Sequence, residues 1–169
     1  MKALYATAYG GIDVLKFGDL PKPVPQAGEV LVAVKASSVN PLDWKIRQGD
    51  LKLVTGRSFP KILGADFAGI IEELNADGSG FQIGDPVYGL LPVWKRKHGA
   101  HAEFLTASVK LLRRMPDGLS YEQMERAMQL DDLNALAVGP EVESLEKYRE
   151  LRAKNLHKMQ PIPVFKKKR

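Results

Sequence analysis

The residues with the most chemical promise stand in one polar stretch, Ser37-Ser38-Val39-Asn40-Pro41-Leu42-Asp43-Trp44-Lys45-Ile46-Arg47-Gln48-Gly49-Asp50. It follows directly on the strongest strand signal of the chain, and Pro41 opens a short helix there. In a small β-barrel this is where side chains are presented to a cleft. Taken by itself, Asn40 reads first as a helix cap and second as a group that acts on a ligand.

A second stretch imitates a phosphate loop. Gly78-Ser79-Gly80-Phe81-Gln82-Ile83-Gly84 is one residue longer than the dinucleotide fingerprint. That fingerprint works because its glycines let a helix N-terminus approach a pyrophosphate, so a helix must follow. Here Asp85-Pro86-Val87-Tyr88-Gly89 follows, a turn and a strand, and the glycines are read as a hairpin turn. The chain has no cysteine, which removes disulfides, thiolate metal sites and cysteine nucleophiles together. Its three histidines, His98, His101 and His157, show no metal-ligand spacing. Lys95-Arg96-Lys97 is read as a solvated loop.

The elements that must position these residues are mostly strands. Lys2 to Tyr9 and Val14 to Asp19 are short strand candidates, and Pro21, Pro23 and Pro25 enforce an extended connector. Glu29 to Ala36 is a β-branched run bounded by charges, and Leu63 to Leu74 is a long apolar run broken by Gly64 and Gly69. A glycine inside a strand marks a bulge or a close backbone approach. Phe81 to Leu91 and Ala100 to Leu105 add further strands. No helical period in this part exceeds Pro41 to Leu53, so a small barrel is expected.

The period changes near Ser120. Ser120 with Gln123 forms a capping box, and Leu119 with Met124 a hydrophobic staple. Tyr121, Met124, Ala127 and Met128 share one helix face, which continues until Gly139-Pro140. A second helix is expected from about Glu141 to Lys158, completing a helical hairpin. Residues 1–121 hold 14 of the 15 glycines, which supports two kinds of structure, 1–122 and 123–169.

Composition limits the function classes. With 169 residues and 44% hydrophobic content, the chain can bury a sizeable core without staples. The net charge of +5 is dominated by Lys166-Lys167-Lys168-Arg169, a terminal run that gives no reason to expect nucleic acid as a partner. No stretch approaches the roughly 18 apolar residues of a membrane span, and the N-terminus lacks a signal-peptide pattern. The expected compartment is the cytoplasm, with no membrane partner.

Four ordered motifs carry a family resemblance: Asn40-Pro41-Leu42-Asp43-Trp44-Lys45-Ile46-Arg47, Gly64-Ala65-Asp66-Phe67-Ala68-Gly69, Phe81 to Gly89, and Gly99-Ala100-His101-Ala102-Glu103-Phe104. Together with the opening strand and the Pro-Lys-Pro-Val-Pro connector, they make residues 1–122 resemble the N-terminal domain of medium-chain dehydrogenases/reductases, in the zinc-independent quinone oxidoreductase branch. The resemblance implies a mainly β fold, a partly open GroES-like barrel with short helices that supplies the substrate side of a cleft. It implies NADPH as the cofactor, bound by a separate Rossmann domain, and a quinone, enone or carbonyl compound as substrate.

The resemblance also suggests site residues. In zinc-containing relatives a cysteine ligand stands at the position of Asn40, and a His-Glu pair at Ala65-Asp66; those ligands are absent here, and no zinc is expected. Asn40 would hydrogen-bond near the nicotinamide or the substrate carbonyl. Lys45 stands where some relatives carry a tyrosine, and a lysine donates a proton at neutral pH only where its surroundings favour the neutral amine. Asp43, Arg47 and Asp66 would line or brace the substrate cleft.

After Glu122 the relatives continue into a small, apolar helix and then the cofactor sheet, whereas this chain continues with Met124-Glu125-Arg126. The remaining residues contain one glycine and no strong strand, too little for a doubly wound nucleotide domain. The expectation is a substrate-side domain that binds no NADPH and is inactive alone, its partner being a separate nucleotide-binding domain or a second copy. The alternative is a non-catalytic interaction module or a truncated fragment.

Overall fold

The computed structural model describes residues 1–92 and 99–130. Strands dominate, in two antiparallel sheets that do not close on each other. Strands β1 (Lys2–Ala6), β2 (Leu15–Asp19) and β4 (Lys61–Ile62) form the smaller sheet, in the order β2-β1-β4. The larger sheet contains β3 (Glu29–Ala36), β5 (Asp66–Asn75), β6 (Pro86–Leu90), β7 (Phe104–Ser108) and β8 (Leu112–Arg114), in the order β7-β3-β5-β6-β8. Helices α1 (Pro41–Gln48) and α2 (Lys52–Thr55) separate β3 from β4, and α3 (Tyr121–Leu130) follows β8. This is the mainly β, partly open architecture expected from the sequence.

The β-branched run Glu29 to Ala36 is β3 from its first residue to its last. Val30 to Ala33 are buried because β5 flanks the strand on one side, β7 on the other, and side chains cover both faces. One core surrounds them: Val30 and Val32 pack with Phe67, Ile71, Val87 and Leu105. Full burial of each such side chain is worth about 1.5–3 kcal/mol.

At Gly69 the backbone of β5 leaves no room for a side chain against β3. A Cβ there would lie 2.3 Å from the carbonyl oxygen of Ala33 and 2.7 Å from Val32 Cγ1. The register between these strands shifts at Leu31/Val32 and at Val34/Ala36, which curves the pair.

Several expected boundaries shift. The first strand ends at Ala6, because Thr7 already turns to bond Val14. Residues 81–85 make a turn before β6, closed by the Gln82 N–H donating to Asp85 Oδ2 at 2.8 Å and by Gly84 at a φ of 94°. The glycine-rich stretch therefore lies in the connection between antiparallel β5 and β6, as a turn and not a phosphate loop. Ala100 to Glu103 precede β7 instead of forming it. Their backbone bonds Leu63, Gly64, Lys2 and Leu4, which stitches the two sheets together. Strands β4 and β8 carry no sequence signature, since two or three residues are too short to show alternation.

Helix α3 begins as expected. Gln123 N–H donates to Ser120 Oγ at 3.2 Å, and Ser120 N–H donates to the Gln123 side chain at 2.9 Å. Met124 and Met128 pack with Ala68 and Tyr88, and Leu119 and Tyr121 lie against that cluster. The helix thus continues across residue 122 and packs on the larger sheet. The expected second helix, and the end of the first at Gly139-Pro140, lie outside the described residues, as do Lys95-Arg96-Lys97, His98 and His157.

Candidate functional site

Asn40 links β3 to α1. Its backbone is extended, with φ −114° and ψ 159°, and its N–H donates to Asp43 Oδ2 at 2.9 Å, the reach-back half of a capping box. The helix ends where Gly49 enters the left-handed region at φ 92° and its N–H turns back to Lys45 and Ile46. The Asn40 side chain also reaches beyond the helix. Its Nδ2 donates to Asp66 Oδ2 at 2.7 Å.

Asp66 is 2% exposed at the start of β5. Its backbone carbonyl accepts from Ser37 Oγ at 2.9 Å, and its Oδ2 also lies 2.5 Å from Ser38 Oγ. The same Ser38 hydroxyl lies 3.1 Å from Glu125 Oε2 on α3. Glu125 is 4% exposed. The second oxygens of both acids, Asp66 Oδ1 and Glu125 Oε1, are buried without a partner. Burial first, and then the nearby Asp66 carboxylate, push Glu125 up to about 8, while the Ser38 hydroxyl and backbone N–H pull the other way.

A groove of about 520 Å³ is walled mostly by Lys2, Leu4, Phe17, His101 and Glu103 and reaches this cluster at Ser37 and Val39; Asn40, Asp66 and Glu125 do not line it. The His101 ring Nε2 lies 3.1 Å from the Ser38 carbonyl oxygen. The ring also presses on Gly64, whose φ of +85° and 2.5 Å clearance to His101 Cδ2 leave room for no side chain.

The other sequence candidates are placed differently. Asp43 is 2% exposed and accepts from the backbone N–H groups of Asn40 and Gly64, so it fastens α1 to the turn between β4 and β5. Arg47 is largely buried, its Nη1 donating to the Gly10 carbonyl at 2.7 Å, and it braces the β1–β2 connection. Lys45 is exposed, with its ammonium 5.8 Å from the centroid of the Trp44 ring. The structure therefore brings Asn40 and Asp66 together, sets Asp43 and Arg47 as braces, and turns Lys45 outward.

The sequence reading passed over Ser38 and Glu125 as site residues. The signal for Glu125 was present, because Tyr121, Met124, Glu125 and Met128 follow the i, i+3, i+4, i+7 pattern of one buried stripe, and an acid inside such a stripe must find a polar partner. Among the described residues no group of three or more His, Cys, Asp or Glu side chains could hold a metal ion. No described ion pair involves Asp66 or Glu125. No described helix is long and apolar enough to cross a membrane.

The chain is 35% identical over 121 residues to the chloroplastic quinone-oxidoreductase homolog of Spinacia oleracea, covering 71% of this chain and 36% of that protein. Among solved structures it resembles the quinone oxidoreductase of Pseudomonas syringae pv. Tomato, with a TM-score of 0.65, 28% identity, and coverage of 79% of this chain and 38% of that one. A mycobacterial protein complexed with NADPH matches with a TM-score of 0.61 and 32% identity, over 72% of this chain and 34% of that one. The chain thus spans little more than a third of the length of these relatives. Residues 26–117 match the alcohol dehydrogenase GroES-like domain, and the chain belongs to that family.

Proposed function

We propose that this chain is the substrate-side domain of a zinc-independent, NADPH-dependent oxidoreductase that reduces a quinone, enone or other carbonyl compound. The observation that carries this reading is the Asn40 amide, half-buried after β3 and held by the buried Asp66 at 2.7 Å. An amide anchored through its nitrogen holds its remaining N–H in a fixed direction, as a group that orients a nicotinamide or a carbonyl must. The names of the relatives support the substrate class, and the NADPH complex supports the cofactor.

NADPH, when bound, supplies the hydride. Within this chain Asn40 orients the reacting groups, Asp66 holds Asn40 without touching substrate, and Asp43 and Arg47 fix α1. Lys45 is exposed on the same helix, where it meets substrate or cofactor only once a second domain closes over it. The segment that carries Asn40 also exposes Val39, Trp44, Leu53 and Val54, an apolar contribution suited to the face of a partner domain. The glycine-rich stretch 78–84 leads into β6 and not into a helix that would receive a pyrophosphate, and in this reading a separate domain supplies the nucleotide-binding part.

Two measurements test the proposal. Titration of NADPH fluorescence with the chain alone is expected to show binding no tighter than millimolar, and micromolar binding would sink the division of labour. Mixing the chain with a nucleotide-binding domain from a quinone oxidoreductase is expected to yield NADPH oxidation by a quinone. Asn40→Ala should lower that rate about tenfold or more, the effect of losing roughly 1.4 kcal/mol of orientation. An unchanged rate in the variant, or no oxidation above either component, counts against the reading.

A further inference from the structure

We propose that helix α3 is a proton-dependent clasp: Glu125 docks on Ser38 and Asp66 more tightly as the neutral acid, and its ionisation weakens the helix's hold on the barrel.

The geometry requires a proton. Ser38 Oγ stands 2.5 Å from Asp66 Oδ2 and 3.1 Å from Glu125 Oε2, yet a hydroxyl carries one hydrogen. The shorter contact and the convergence of Asn40 Nδ2 on the same oxygen make Asp66 the acceptor. Ser38 Oγ is then left with lone pairs toward Glu125, and a hydrogen bond between them forms only if Glu125 brings its own hydrogen. The chain of donors runs from the Glu125 O–H to Ser38 Oγ, and from the Ser38 O–H to Asp66.

Among the described groups acting on Glu125, only those of Ser38 favour a second negative charge, and burial with the Asp66 charge outweighs them. From β5 the group facing Glu125 is Asp66, itself acidic. The segment after β3 supplies Ser38 and Asn40, and His101 contacts the far side of Ser38 through its carbonyl oxygen. In the adjoining Met124 and Met128 cluster the titratable group is Tyr88 on β6, whose phenol burial pushes up and Arg113 of β8 pulls down. Arg113 spends Nη1 on the Leu112 carbonyl and forms no described ion pair with either acid. On α3 itself Glu122, Gln123 and Arg126 are exposed. Ionised, Glu125 would be a buried charge beside another of the same sign, with Oε1 unpartnered.

The consequence is a two-state helix. Docked, α3 covers Ala68 and Tyr88 with Met124 and Met128 and carries a protonated Glu125. Released, Glu125 ionises in the ordinary carboxylic range. Release therefore gives up a proton between that range and about 8, and each pH unit in the interval favours it tenfold. Beyond about 8 both states are ionised and the dependence ends.

Hydrogen exchange of the full 169-residue chain between pH 5 and 9, corrected for intrinsic rates, tests the clasp. Protection of the α3 amides is expected to fall about tenfold per pH unit up to about pH 8, while amides of β3 remain far more protected. In Glu125→Gln the side-chain amide still donates to Ser38 and carries no charge, so protection should be high and independent of pH. Asp66→Asn removes the neighbouring charge and should move the upper end of the interval to lower pH. Protection of α3 that is flat in the unaltered chain overturns the proposal. So does a slope that persists in Glu125→Gln, equal protection of α3 and β3 at every pH, or an interval unmoved by Asp66→Asn.

Discussion

The side-chain amide of Asn40 donates to the buried carboxylate of Asp66 at 2.7 Å, tying the residue before α1 to the first residue of β5 across 26 positions of sequence. The contact fixes the direction of the amide nitrogen. It also supplies one of the two donors that Asp66 Oδ2 receives. Asn40→Ala takes that donor away from a buried carboxylate and is expected to destabilise the chain by about 1–3 kcal/mol. Urea unfolding should show a lower midpoint with an unchanged slope.

Asp43 is a brace whose loss should be felt more widely. Its two oxygens accept from the backbone of Asn40 and of Gly64, at 2.9 and 2.8 Å, inside the fold. Asp43→Ala removes both acceptors at once, and about 3 kcal/mol of stability should go with them. Thermal unfolding followed by circular dichroism checks this.

Two glycines separate steric need from conformational preference. Gly69→Ala drives a methyl into the Ala33 carbonyl, a backbone atom that cannot step aside without parting β3 from β5, and should cost more than about 3 kcal/mol or abolish soluble expression. Gly28→Ala meets nothing within 4 Å and should cost only about 1 kcal/mol, through its φ of +82°. Equal effects at the two sites would contradict the close approach of the strands.

Global stability should carry the imprint of Glu125. A carboxyl held at about 8 in the folded chain binds its proton more tightly than the unfolded chain does, so stability falls as pH rises from about 5 to 8. The slope from this group is about 1.4 kcal/mol per pH unit at most. Glu125→Met keeps the volume, removes the buried acid, and should flatten that part of the profile, leaving the variant more stable than the unaltered chain at pH 8. Chemical denaturation at a series of pH values provides the comparison.

Lys45 offers the contrasting case. It is exposed and faces only the Trp44 ring among its described contacts, so Lys45→Ala should change stability by less than about 0.5 kcal/mol. Any effect on NADPH oxidation in the mixture with a nucleotide-binding domain then reports a role in the cleft and not in folding.

Much of this protein is local enough to be written in its sequence. Glu29 to Ala36 is a strand because β-branched residues run uninterrupted between charges. Ser120 and Gln123 start a helix because each satisfies the other's backbone N–H. Pro41 and Gly49 bracket α1 through the dihedral angles each prefers. The GroES-like family was legible for the same reason, as four motifs of local backbone and side-chain chemistry in fixed order.

What tertiary structure alone decided is the company those residues keep. Asn40, Asp43 and Arg47 share one short helix in sequence, yet the first turns to Asp66, the second to Gly64 and the third to Gly10. In sequence Ser38 is one member of a polar stretch and Glu125 one acid of a helix; the packing of α3 on β5 and β3 sets an acid against an acid with one hydroxyl between them. The pattern of residue types dictates which groups are buried. Only the fold dictates which buried group meets which, because hydrogen bonds and charges act over a few ångströms that the chain crosses by returning from 87 residues away.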